Sequence, residues 1–263
     1  MRRPAPPPRR PVLLVIAHGS RDPRHAASVR ALVRQVRSLR PGLRVETAFL
    51  DFNAPSVPGT LEQLAAEGVR DVVALPLLLT RAFHAKADIP AVLREAPAGL
   101  RVRRAPVLGP SPLLLRTLEQ RLHEAGLDPA DRSSTGVVLA SAGSSDPEAI
   151  AVIAEIAREW RLTGWCAVRP AFASASSPRT RDAVRALRAV PGVRQVAVAP
   201  YVLAPGFLPD RIARDAVEAG ADILAEVLGP APSVARLLLR RHDETYAPDT
   251  CPVAPLARTP ALA

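Results

Sequence analysis

Two histidines and one aspartate suggest the chemistry of this 263-residue chain. His18 follows the apolar run Val12 to Ala17, and His84 follows the run Asp71 to Leu79. Short apolar runs of this kind mark buried parallel strands, so each imidazole stands just past a strand end. Neutral imidazole is a good ligand for a divalent first-row metal. With a pKa near working pH it is also a proton acceptor. Two such rings at neighbouring strand ends can hold a metal ion facing a cleft. Two ligands alone bind weakly, which suits an ion that is delivered rather than stored.

Other polar residues surround this pair. Asp51 follows the second strand, in Ala48-Phe-Leu-Asp51. Its carboxylate can reach the same rim, there to take a proton or steer a cation; a loop or cap aspartate fits the spacing equally well. Asp88 can orient His84 or cap the helix that starts at Ile89-Pro90, and the cap is the reading adopted. Ser20, Arg21 and Arg81, with Lys86, flank the histidines and are taken as contacts for an anionic ligand; solvated loop charges are the alternative. His25 and His123 fall within helices and read as solvent-facing, and His242 lies near the tail.

Strand and helix patterns alternate along the chain. After the first strand, Asp22-Pro23 marks a helix start. Val29, Val33, Val36 and Leu39 then form its apolar face, opposite Arg30, Arg34 and Arg37. A strand over 44–50, a helix over 60–67, a strand over 71–79, a helix over 89–95, a strand over 100–107 and a helix over 112–125 follow. This order predicts an open parallel sheet with helices on both faces. Such sheets bind ligands at the carboxyl ends of their strands.

The pattern then repeats about 124 positions later. Ser141-Ala-Gly-Ser-Ser-Asp-Pro147 echoes Ala17-His-Gly-Ser-Arg-Asp-Pro23. Ala171-Phe172 echoes Ala48-Phe49, Pro200-Tyr-Val-Leu203 echoes Pro76-Leu-Leu-Leu79, and Val227-Leu-Gly-Pro230 echoes Val107-Leu-Gly-Pro110. We therefore expect two homologous α/β halves, 12–126 and 135–240, facing each other across a cleft. A linker over 127–134 joins them, and the ends, 1–11 and 241–263, are expected to be disordered. The halves differ chemically. Ala142 stands where the first half has His18, and Leu208 where it has His84. A scaffold histidine would be needed in both copies; a site histidine is needed in one.

Composition excludes several classes. Two cysteines rule out a disulfide framework or a Cys-rich zinc site. There is no GxGxxG after a strand, Walker A loop, GxSxG elbow or HExxH motif, so no nucleotide cofactor is expected. No apolar run is long enough to cross a membrane, and no signal-peptide pattern is present, so a cytoplasmic protein is expected. The net charge of +10 is nearly all arginine, Lys86 being the only lysine. That favours polyanionic partners, yet scattered arginines and 3% aromatics argue against nucleic acid.

Taken together, His18-Gly-Ser-Arg-Asp-Pro23, Ala48-Phe-Leu-Asp51 with Pro55, and Leu75-Pro-Leu-Leu-Leu79 with His84 and Asp88-Ile-Pro90 resemble the CbiX/SirB group of sirohydrochlorin chelatases. These are class II, ATP-independent tetrapyrrole chelatases. The first half matches closely, and the second resembles the degenerate repeat of two-domain, single-chain members. The resemblance implies a lyase that inserts Co²⁺ or Fe²⁺, as substrate, into the octacarboxylate macrocycle sirohydrochlorin, in cobalamin or sirohaem biosynthesis. It maps the two family histidines onto His18 and His84, as metal ligands that help remove pyrrole protons. Asp51 stands where the family usually has the longer glutamate, and Ala82 where it usually has glycine. The tail lacks the His-rich tract of some long members. A non-catalytic metal or tetrapyrrole carrier on the same scaffold is the alternative. A duplicated chain can close its own cleft, so a monomer is expected.

Overall fold

In a computed structural model, residues 10–81 and 87–246 are described. The first half runs β1 (Val12–Ala17), α1 (Pro23–Leu39), β2 (Val45–Phe49), α2 (Val57–Ala66), β3 (Asp71–Pro76), α3 (Ile89–Arg94), β4 (Arg101–Arg104) and α4 (Pro112–Glu124). A 3-10 turn, Pro129–Ser134, leads into β5 (Thr135–Ser141), α5 (Pro147–Arg161), β6 (Ala167–Phe172) and α6 (Thr180–Arg188). The second half ends with β7 (Gln195–Tyr201), α7 (Phe207–Glu218), β8 (Ile223–Leu224) and α8 (Pro232–Tyr246). The expected α/β class is present twice: two parallel four-stranded sheets, ordered β2-β1-β3-β4 and β6-β5-β7-β8.

Every residue of β1 is buried, because helices cover both faces of its sheet. Val12, Leu14 and Ile16 point to an outer core with Val57, Leu61 and Leu64 of α2. Leu13, Val15 and Ala17 point to the opposite core, which is shared by the two halves and includes Ile153, Phe172, Leu237 and Leu238. The sharing comes from an exchange of final helices. Helix α4 packs on β7 of the second sheet, while α8 packs on β3 and β4 of the first and against α1 and α4. Residues 241–246, expected in a disordered tail, are instead the last turns of α8. His242 explains the difference. Its side chain is fully buried, and Nε2 lies 3.1 Å from the Pro11 carbonyl, to which it donates, tying the helix to the entrance of β1.

Other differences have local causes. Helix α2 starts three residues early, at Val57, because Ser56 caps it and a proline occupies its first turn. Strand β3 stops at Pro76, although Leu77 N still donates to Ile16 O at 2.7 Å. Residues 77–80 then turn out along the cleft. Leu39, expected on the buried face of α1, ends the helix and is 41% exposed.

The first chain reversal brings the sheet to its functional geometry. Because β1 lies between β2 and β3, the chain moves to one side after β1 and to the other after β2. The gap between the loops leaving β1 and β3 is the crevice where such sheets bind ligands. Gly19, with φ 96°, sits in the first of these loops, and a Cβ there would lie 1.9 Å from the Asp51 carbonyl oxygen. Gly143 repeats the arrangement, with φ 92° and 1.9 Å to Ser174 O. Alanine at either position therefore meets both a strained backbone and a filled space. We predict that Gly19→Ala and Gly143→Ala each destabilise the fold by about 2–3 kcal/mol in denaturant unfolding. Unchanged unfolding of either variant would contradict the close contact.

Candidate functional site

An open cleft of about 400 Å³ runs between the halves. The first half lines it with His18, Gly19, Ser20, His25 and residues 77–80; the second contributes residues 141–144 and 201–209. Its position at the strand ends is where the sheet topology places a ligand.

His18 is half-buried and emerges directly from β1. Its carbonyl accepts from Asp51 N at 2.9 Å, while Leu50 N donates to Ala17 O, so the loops after β1 and β2 are stitched side by side. Ser20 secures the turn: its N donates to Asn53 Oδ1 at 2.8 Å, and its hydroxyl oxygen accepts from Asp22 N at 3.1 Å. Asp22 in turn caps α1 through Arg24 N. The second half copies this framework, with Asp146 capping α5 and Ser176 accepting from Ser144 N, around Ala142 in place of the imidazole.

The structure brings Asp51 to the rim beside His18. Its side chain is exposed, and Oδ1 accepts from Phe52 N at 2.8 Å. In the duplicate, the Ser174 hydroxyl instead donates back to Ala142 O at 2.9 Å. A carboxylate has no proton for that bond, so Asp51 faces outward. Phe52 meets His18 edge to face, with centroids 6.2 Å apart, and the Arg21 guanidinium lies 5.2 Å from the Phe52 ring centroid. Arg81 is exposed and lines a second groove with Arg94, Arg104 and Glu148, next in the chain to Thr80 of the cleft lining. Asp88 is already helical, at φ −67° and ψ −47°, and makes no side-chain cap, contrary to expectation. His84 and Lys86 lie outside the described residues.

Two further groups line the cleft that were not expected there. His25, read as solvent-facing, is half-buried because the second half covers that side of α1. Its Nδ1 is buried without a hydrogen-bond partner among the described residues. Burial first, and the neighbouring His18 second, hold it below the ordinary imidazole value, so it is neutral near pH 7. Tyr201, at the end of β7, is 2% exposed, with its hydroxyl unpartnered among the described residues. Burial pushes its pKa up, leaving a protonated phenol at the cleft wall. One signal was available in the repeat, since Tyr201 stands where the first half has Leu77. His123 also differs from its expected exposure: its Nδ1 donates to Leu127 O at 2.9 Å and closes the end of α4.

Between the halves, Arg24 of α1 grips Asp210 of α7 with both terminal guanidinium nitrogens, at 2.6 and 3.2 Å. Both side chains are about half exposed, so solvent screens this pair and its main effect is on orientation. Among the described residues, no three His, Cys, Asp or Glu side chains converge as a cation cage.

Comparison with known proteins agrees with this architecture. The CbiX family pattern matches residues 12–125 and again 136–245. The sirohydrochlorin cobaltochelatase of Priestia megaterium is 32% identical over 210 residues, covering 76% of this chain and 66% of that protein's length. The sirohydrochlorin ferrochelatase of the same organism is 27% identical over 234 residues, 86% of this chain and 87% of its own. The structure of SirB from Bacillus subtilis with Fe³⁺ superposes with a TM-score of 0.79 at 26% identity, covering 90% of this chain and 96% of that one. With the family pattern present in both halves, the chain belongs to the CbiX family.

Proposed function

We propose that the protein is a sirohydrochlorin chelatase that inserts Co²⁺ or Fe²⁺ into the macrocycle without a nucleotide. The observation that carries this reading is His18, placed at the switch point of the site-bearing sheet and replaced by Ala142 in an otherwise copied loop. The names of its relatives, a cobaltochelatase and a ferrochelatase, support the same reaction.

The reaction exchanges two pyrrole N–H protons for one divalent ion, so charge balances as two protons leave. In this reading His18 and His84 hold the incoming ion from one side of the cleft. A neutral imidazole is ligand and proton acceptor in turn, because both uses need the same lone pair. Asp51 stands at the rim as an exposed carboxylate that draws in the cation and passes protons to solvent. The cleft walls, largely aliphatic, bury the ring system, and its carboxylates point to the open side. Since one chain supplies both walls, we read the enzyme as a cytoplasmic monomer. No described helix is long and apolar enough to cross a membrane.

The decisive experiment is anaerobic metallation of excess sirohydrochlorin by limiting enzyme, followed by absorbance. We expect many turnovers with Co²⁺ or Fe²⁺, and a loss of about 100-fold or more in His18→Ala and in His84→Ala. No rate above the uncatalysed background with either ion would overturn the chelatase reading. Stoichiometric binding without turnover would establish the carrier instead. Asp51→Asn is expected to slow turnover about tenfold while leaving Co²⁺ affinity within twofold, since its task is proton and cation traffic. A variant as fast as wild type would remove Asp51 from the mechanism.

A further inference from the structure

Phe52 is costly where it stands. Its φ is 60°, a left-handed conformation unusual for a bulky side chain. Core burial cannot offset this, because the side chain is 49% exposed. The duplicate has the same backbone at Ala175, with φ 59°, so the conformation belongs to the loop and the aromatic ring does not. Arg21, which lies over that ring, is likewise absent from the duplicate, where Ser145 takes its place. The imidazole, the ring and the guanidinium are therefore all absent together from the corresponding rim of the second half.

The charge on Arg21 is also uncommitted. Among the described residues it makes no hydrogen bond or ion pair, its one contact being the Phe52 ring. The nearby carboxylates are already engaged, Asp22 by Arg24 and Asp51 by Phe52 N. The opposite lip of the cleft carries a similar pair. Phe207, 68% exposed at the start of α7, has the Arg211 guanidinium 4.9 Å from its ring centroid, where Nη1 also donates to Ala173 O at 3.1 Å and leaves the other nitrogens of the group for a ligand. Phe52 and Phe207 are the only exposed aromatics among the described residues; Phe207 lines the cleft, and Phe52 lies beside it, edge to face with the cleft-lining His18.

We propose that Phe52 with Arg21, faced by Phe207 with Arg211, forms the substrate-binding lips of the cleft. The rings pack against the flat apolar body of the macrocycle, and each guanidinium, held by its ring, pairs with a peripheral carboxylate. Phe52 and Arg21 thereby position the pyrrole nitrogens over His18. This rests on the sirohydrochlorin reading above.

The test separates macrocycle binding from metal binding. Metal-free sirohydrochlorin is titrated into wild type, Phe52→Gly, Phe52→Trp, Arg21→Gln and Phe207→Ala, and Co²⁺ is titrated in parallel. Glycine suits the left-handed backbone, so Phe52→Gly should keep or raise Tm while weakening macrocycle binding about tenfold. Co²⁺ affinity should stay within twofold, and Phe52→Trp should retain macrocycle binding. Arg21→Gln should weaken macrocycle binding and flatten its dependence on salt. Wild-type macrocycle affinity in both Phe52→Gly and Arg21→Gln would overturn the lips alone, leaving the chelatase reading intact. A wild type that binds no sirohydrochlorin would overturn both.

Discussion

The site depends on a close approach of backbone to backbone. Gly19 lies so near the Asp51 carbonyl that no side chain fits between them, and hydrogen bonds from Asp51 N to His18 O and from Leu50 N to Ala17 O hold the two loops together. That contact puts the ends of β1 and β2 at one level and leaves His18, Asp51 and Phe52 on one rim. The sheet order does the rest. With β1 between β2 and β3, its loop and the loop after β3 border the crevice where such sheets bind ligands. Chemistry can change at such a rim without changing the fold, because the side chains there contribute little to the core.

The duplicated half illustrates that separation. It retains the glycine contact, the serine and aspartate that order the turn, and the strand order, but has Ala142, Ser145 and Ala175 where the first half has His18, Arg21 and Phe52. Its contribution is a wall and a shared core. Exchange of α4 and α8 between the sheets joins the halves through buried aliphatic side chains, which fixes the cleft more firmly than the solvent-screened Arg24–Asp210 pair could alone. Tyr201 shows that this wall is not inert: it presents a protonated phenol towards the first half, packed against Gly109.

Much of this was legible in the sequence, and what was missed has a common cause. The positions of β1 and β3 followed from continuous apolar runs, since burial on both faces leaves no alternation to obscure them. The first helix start followed from Asp22-Pro23, because a capping carboxylate and a first-turn proline act locally, and Asp146-Pro147 caps the corresponding helix of the repeat. The repeat made His18 conspicuous through its absence at position 142. Contacts between the halves left no such local mark. His25 looked exposed because its covering surface lies nearly 180 residues away, at Leu203 and Ala204. His242 looked like tail because its partner is the Pro11 carbonyl. Arg81, read as either a ligand contact or a solvated loop charge, lines a groove with Arg94 and Arg104. Phe52 carried no motif at all; its meaning comes from its backbone angle, its exposure and the arginine above it.

The central claim is that metal delivery belongs to imidazoles of the first half alone. X-ray absorption of the Co²⁺-loaded protein, without macrocycle, reads this directly through the multiple scattering of coordinated imidazole rings. The account predicts two imidazoles in the wild type and one in each of His18→Ala and His84→Ala, the remaining ligands being oxygen. A spectrum with oxygen ligands alone, or an imidazole count unchanged by either substitution, would contradict it.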